Sequence, residues 1–152
     1  MNASESFAVD IVLTPVDGSE ESATAVEYAV AVADRYDASV HALYVLGRGV
    51  VEGMNAGALD EDQVAENARE FLADVEAVSA DHAVPSTTSM AQGFSPTRKT
   101  RHPGSVVLDA AEAVSADFIV VPRESTTDAS PDVLERAAEY VLAYASQPVL
   151  SV

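Results

Sequence analysis

Three stretches of this chain carry residue types that could do chemistry. Asp17 follows a β-branched run and opens the loop Asp17-Gly18-Ser19, where a carboxylate, a flexible glycine and a hydroxyl can either meet a polar ligand or cap a helix. Arg98, Lys99, Arg101 and His102 crowd into SPTRKTRHPGS, which holds three of the chain's eight Lys and Arg side chains. Such a cluster is either an anion or partner site or a solvated loop paired with nearby carboxylates. The third stretch, IVVPRESTTDASPDVLER, Ile119–Arg136, has the strand, loop and helix pattern on which α/β proteins cradle phosphate, yet it contains no glycine. Its Arg123 and Arg136 are the local groups that would draw an anion.

Other chemistries lack their residues. The chain has no cysteine, so disulfides, thiolate nucleophiles and sulfur-ligated zinc are ruled out. His41, His82 and His102 fall on different elements without metal-ligand spacing, and His41, inside a strand, reads as a hydrogen-bonded structural residue. No Gly-x-Ser-x-Gly elbow or nucleophile-base pairing is visible, so no catalytic residue and no metal site are expected. The formal charge of −17 is spread along the chain, which makes nucleic acid a poor partner.

The elements that would hold these residues follow from periodicity. Ala8 to Thr14 is a strand that Pro15 should stop, and Glu20 to Tyr36 is a helix with Ala23, Val26, Val30 and Ala33 inward. Ser39 to Leu46 is a second strand, ended by Gly47-Arg48-Gly49; a flexible stretch with Gly53 and Gly57 leads to a long helix, about Asp60 to Asp81. Ser86 to Ala91 reads as a polar edge strand, the loop Gln92 to Gly104 follows, and Val106 to Val114 is a helix. Ala116 to Val121 is the most apolar strand and so is expected at the centre. Ser130-Pro131 opens a last helix with Leu134, Ala137, Val141 and Ala145 inward, and Pro148 to Val152 closes the chain as a strand. Tyr28, Tyr36, Tyr140 and Tyr144 are placed at the rim of the core. The alternation predicts one α/β domain over residues 8–152, a doubly wound parallel sheet with helices on both faces, after a flexible tail at 1–7.

At this level the chain resembles the universal stress protein (UspA-like) family. IVLTPVDGSEESATAVEYAVAVA is similar to that family's first strand and helix, SVHALYVL to its second strand, and ADFIVVP with AAEYVLAYASQPVLSV to its final βαβ unit. The resemblance implies an adenine nucleotide alpha hydrolase-like sheet of five strands in the order 3-2-1-4-5. It also implies that Pro15, Val16 and Asp17 lie near an adenosine, that Val45 packs on adenine, and that Val121 belongs with them to any nucleotide-binding set. The bland alternative is that Asp17 caps the first helix and Val45 is core.

Nucleotide-binding members carry Gly, two residues, Gly, nine residues, then Gly with Ser or Thr. Those positions fall here on Pro122, Ser125, Glu135 and Arg136, and none is retained. Pro122 has no N–H, Ser125 adds a side chain where the backbone must approach phosphate, and Glu135 adds a negative charge. The expectation is therefore a non-catalytic stress-response module acting through an unidentified protein partner, with no cofactor. The alternative is an ATP or AMP regulator, with magnesium, whose phosphate contacts come from Arg123, Arg136 or the basic loop. The family also dimerises through its last strand, which implies a homodimer with Pro148, Val149, Leu150, Ser151 and Val152 at or near the interface.

The longest apolar runs are too short to span a bilayer, and the first residues lack a signal-peptide pattern, so a soluble cytoplasmic protein without membrane insertion is expected. A surface this acidic with a single lysine, Lys99, fits a salt-rich cytosol. Roughly molar salt shortens the Debye length to about 3 Å and relieves the self-repulsion. The melting temperature should accordingly climb as KCl is raised from low to molar concentration; a flat or falling curve would remove the halophilic reading.

Overall fold

The structure, a computed structural model, describes residues 8–92, 103–122 and 133–152, with the backbone alone at 48, 92 and 133–136. Its elements run β1 (Ile11–Val16), α1 (Glu20–Tyr36), β2 (Ser39–Leu46), α2 (Arg48–Asn55), α3 (Glu61–Asp81), β3 (Ser86–Gln92), α4 (Pro103–Val114), β4 (Phe118–Val121), α5 (Val133–Tyr144) and β5 (Val149–Ser151). They form one sheet in the order β3-β2-β1-β4-β5, and every pairing is parallel. No helix among the described residues is long and apolar enough to cross a membrane.

Parallel strands buried on both faces need apolar residues at consecutive positions, and β1 and β2 supply them. Val12 and Val16 of β1 and Val40, Ala42 and Tyr44 of β2 pack against Ala25, Val26, Ala29, Val30 and Ala33 of α1 and Ala68, Leu72 and Val75 of α3. On the opposite face Leu13, Leu43, Val45, Ile119 and Val121 meet Val107 and Ala111 of α4 and Ala137, Ala138 and Val141 of α5. Helices α4 and α5 approach closely at Gly104, where a Cβ would collide with the Tyr140 side chain. Three helices stop with a non-glycine residue in the left-handed conformation, Asp37 after α1, Ala83 after α3 and Ser115 after α4, which turns the chain into the next strand.

Several expectations needed correction. Pro15 does not stop β1, which continues to Val16 in register with β2, Pro15 opposite Leu43 and Val16 opposite Tyr44. The pairing of β1 with β4 ends at Leu13 opposite Ile119, so a proline without an N–H is tolerated beyond that point. The middle strand is β1 and not β4; the helices on both faces make β4 equally apolar one place from the edge. The stretch after β2 is helical, with Gly47 at the N-cap of α2 and Val51 buried, despite its glycines. Ala23 is exposed, its place in the inward stripe taken by Ser22 and Ala25. Tyr28, Tyr36 and Tyr144 are 49%, 46% and 68% exposed, so their helical spacing marks an outer face and not a core rim. The Ser130-Pro131 cap, the 1–7 tail and residues 93–102 of the basic loop lie outside the described residues.

His41 is the buried polar anchor between β2 and the edge strand β3. Its Nδ1 lies 2.6 Å from Thr87 Oγ1 and its Nε2 2.8 Å from Ser89 Oγ, and the residue is 7% exposed. Burial lowers its pKa below the ordinary 6.5. The unfolded chain therefore takes up a proton first as pH falls, so stability held above about 6.5 should be lost progressively below it. Urea denaturation between neutral and mildly acidic pH should show this slope in the native protein and a shallower one in His41→Gln, which should also lose about 1–2 kcal/mol at neutral pH. Equal slopes would show that His41 does not titrate between the two states.

Candidate functional site

Loops at the carboxyl ends of the strands are where an open α/β sheet presents its ligand-facing groups. The turn after β1 is built from short polar side chains that hydrogen-bond the backbone of their neighbours. Asp17 Oδ1 accepts the Ser19 N–H at 2.9 Å. Ser19, at φ −77° and ψ 164°, is the N-cap of α1, its Oγ accepting the Ser22 N–H at 3.1 Å. The Ser22 hydroxyl donates to the Ser19 carbonyl at 2.9 Å. Asp17 is thus not the helix cap; it shapes the turn that delivers the cap. Glu20 and Glu21 in the first turn suit the positive end of the helix dipole.

Gly18 lies at φ +86°, where a side chain is strained, and a Cβ there would stand 2.8 Å from the Tyr44 hydroxyl oxygen. That hydroxyl donates to the Asp17 carbonyl at 3.1 Å. Burial, reinforced by the Asp17 carboxylate, raises the Tyr44 pKa above its ordinary 10.0. The hydroxyl therefore stays protonated and remains a donor at neutral pH.

Beside this turn opens a cleft of about 300 Å³ between the end of β2 and the helices α2 and α3. Asp17 and Tyr44 stand on its strand side with Val45, Leu46 and Gly47; Val50 of α2, Leu59, and Val64 and Asn67 of α3 line the helical side. The size matches the small end of sites for organic ligands, and apolar walls with a few polar groups are what such ligands need. Asn67 Oδ1 already accepts from Gln63 Nε2 at 2.9 Å, which orients its amide.

The residues marked in the sequence divide accordingly. Asp17 and Val45 share the cleft, although the Val45 side chain is only 1% exposed and belongs mainly to the core. Pro15, Val16 and Val121 are buried and hold the strand ends in place. Arg123 and the cluster Arg98, Lys99, Arg101 and His102 lie outside the described residues, as does the side chain of Arg136, whose backbone is in α5. Pro122, directly after β4, is buried. In β5, Val149, Leu150 and Ser151 are half-buried, as is Val152 after it, while Pro148 is exposed. Sequence reasoning missed Tyr44, Val50, Leu59 and Asn67. Tyr44 was detectable as the one aromatic in the apolar run SVHALYVL; the α2 residues were hidden by their flanking glycines.

Comparison with known proteins agrees with this architecture. The model of the Universal stress protein family matches residues 8–152. A universal stress protein of Methanocaldococcus jannaschii is 29% identical over 144 residues, covering 93% of this chain and 80% of that protein. Universal stress protein UspA from Lactobacillus plantarum matches in structure with a TM-score of 0.74 at 22% identity, covering 96% of this chain and 99% of its own. The universal stress protein from Archaeoglobus fulgidus in complex with dAMP matches with a TM-score of 0.62 at 18% identity, covering 94% of this chain and 96% of its own. With the family match extending from the residues before β1 through the end of β5, this chain belongs to the universal stress protein family.

Proposed function

We propose that this chain is a non-catalytic regulatory protein that works as a homodimer through protein contacts and binds ATP weakly or not at all. The observation that carries this reading is Pro122, buried directly after β4 at the position where the nucleotide-binding pattern has its first glycine. A proline offers no backbone N–H to a phosphate and fixes its own φ, so the donor that would begin a phosphate cradle is gone. Support for the dimer comes from β5, which among the described residues pairs with β4 alone at the sheet edge, while Leu142 and Tyr144 of the preceding helix are 52% and 68% exposed. An edge strand near exposed apolar side chains favours self-association.

A second reading is favoured by the cleft that brings Asp17 and Val45 together. The solved relative that holds dAMP, and another universal stress protein in complex with cAMP, carry ligands with one phosphate. A site with a formed nucleoside side and a depleted phosphate side would favour such ligands over ATP. In that case Arg123, Arg136 or the basic loop of Arg98, Lys99 and Arg101 would supply the phosphate contacts.

One preparation in molar KCl tests both. Sedimentation should give a dimer, and calorimetric titration with ATP and magnesium should give no heat or a Kd weaker than about 1 mM, near −4 kcal/mol. A monomer would remove the dimer, and ATP binding in the micromolar range would overturn the lead reading. AMP binding in that range with ATP silent would move the assignment to the second.

A further inference from the structure

The cleft and the turn after β1 share one side chain. The Tyr44 ring, 8% exposed, forms part of the cleft wall and meets Phe71 of α3 edge-on, with centroids 6.1 Å apart at 68°. At its other end the hydroxyl holds the Asp17 carbonyl at 3.1 Å and stands directly over Gly18. One side chain thus links the cleft wall and the Phe71 turn of α3 to the turn after β1. The turn in turn fixes the Asp17 carboxylate through the Ser19 N–H.

We propose that Tyr44 is a positioning residue: its hydroxyl sets the Asp17–Ser19 turn and couples that turn to whatever occupies the cleft between α2 and α3. The raised Tyr44 pKa keeps this donor intact across the physiological range. The ligand half of the proposal rests on the second reading above, in which an adenosine monophosphate occupies the cleft that Asp17 lines. The geometric half stands without any ligand.

Tyr44→Phe removes the hydroxyl and keeps the ring against Phe71. Val75→Ala, which opens a cavity under α3 away from the turn, serves as the control for a general loss of stability. In molar KCl, amide exchange at Ser19 followed by NMR should speed up about five- to tenfold in Tyr44→Phe beyond any change in Val75→Ala, the scale expected for losing one hydrogen bond. Calorimetric titration with AMP should show affinity reduced about five- to tenfold in Tyr44→Phe and unchanged in Val75→Ala. Gly18→Ala should lower the melting temperature less in the Tyr44→Phe background, where the nearest ring atom is 3.7 Å from the new methyl, than in the native protein, where the hydroxyl is 2.8 Å away.

Unchanged Ser19 exchange in Tyr44→Phe would overturn the positioning role, and equal AMP affinity in the two proteins would overturn the coupling. If native protein binds no AMP, the monophosphate reading and its coupling both fall. The exchange and Gly18 results then decide the positioning role alone.

Discussion

The placement of β1 is the constraint on which the rest of the molecule depends. This strand is hydrogen-bonded on both edges and covered on both faces, and the loop bearing Asp17 hangs directly from its end. Its register is fixed at the opposite end by the Asp117 carboxylate, whose Oδ2 accepts the N–H groups of Asp10 and Ile11 at 2.8 and 3.0 Å. The Asp10 carbonyl accepts the Ser39 N–H at 2.9 Å, tying β2 to the same point. Burying Val12, Leu13 and Val16, all 0% exposed, contributes roughly 1.5–3 kcal/mol each. A slip by one residue would exchange the two cores and carry Asp17 away from Tyr44, so packing and site geometry are enforced by the same contacts.

From that strand outward the carboxyl edge of the sheet is asymmetric. Towards β2 it has a preformed turn, a capped helix and a cleft with Asp17 and Tyr44 on one side. Towards β4 the chain leaves the sheet through a buried proline. The two halves are under different physical demands. The first must be ordered simply to start α1, so it persists whether or not a ligand is bound. The second would need glycine only to let phosphate approach, and once that use lapses other residues are tolerated. The fold is thereby compatible with a protein whose nucleoside side survives while its phosphate side does not.

Much of this was legible in the sequence because consecutive valines and clean helical periodicity leave few alternatives. The bounds of α1 and β2 match their expected ranges, and His41 is the hydrogen-bonded structural histidine its strand position suggested. What escaped was tertiary. Whether Pro15 ends β1 depends on where its pairing with β4 stops, which local propensity does not encode. The α2 helix overrides two unfavourable glycines by burying Val51. The Asp117 clamp joins residues more than a hundred positions apart, and the contact of Tyr44 with Gly18 requires knowing that β1 and β2 are neighbours. Tyrosines spaced like a helix face gave the period but not which side of the helix they occupied.

In the proposed reading, nucleotide affinity is limited by the chain after β4 and not by the turn after β1. The most direct measurement is to restore the glycine pattern, with Pro122→Gly, Ser125→Gly, Glu135→Gly and Arg136→Ser in one protein, and to compare its ATP affinity with that of the native chain in molar KCl. A gain of tenfold or more, about 1.4 kcal/mol, is the predicted result. A folded variant with no gain in ATP affinity would overturn that reading and place the limitation elsewhere in the site.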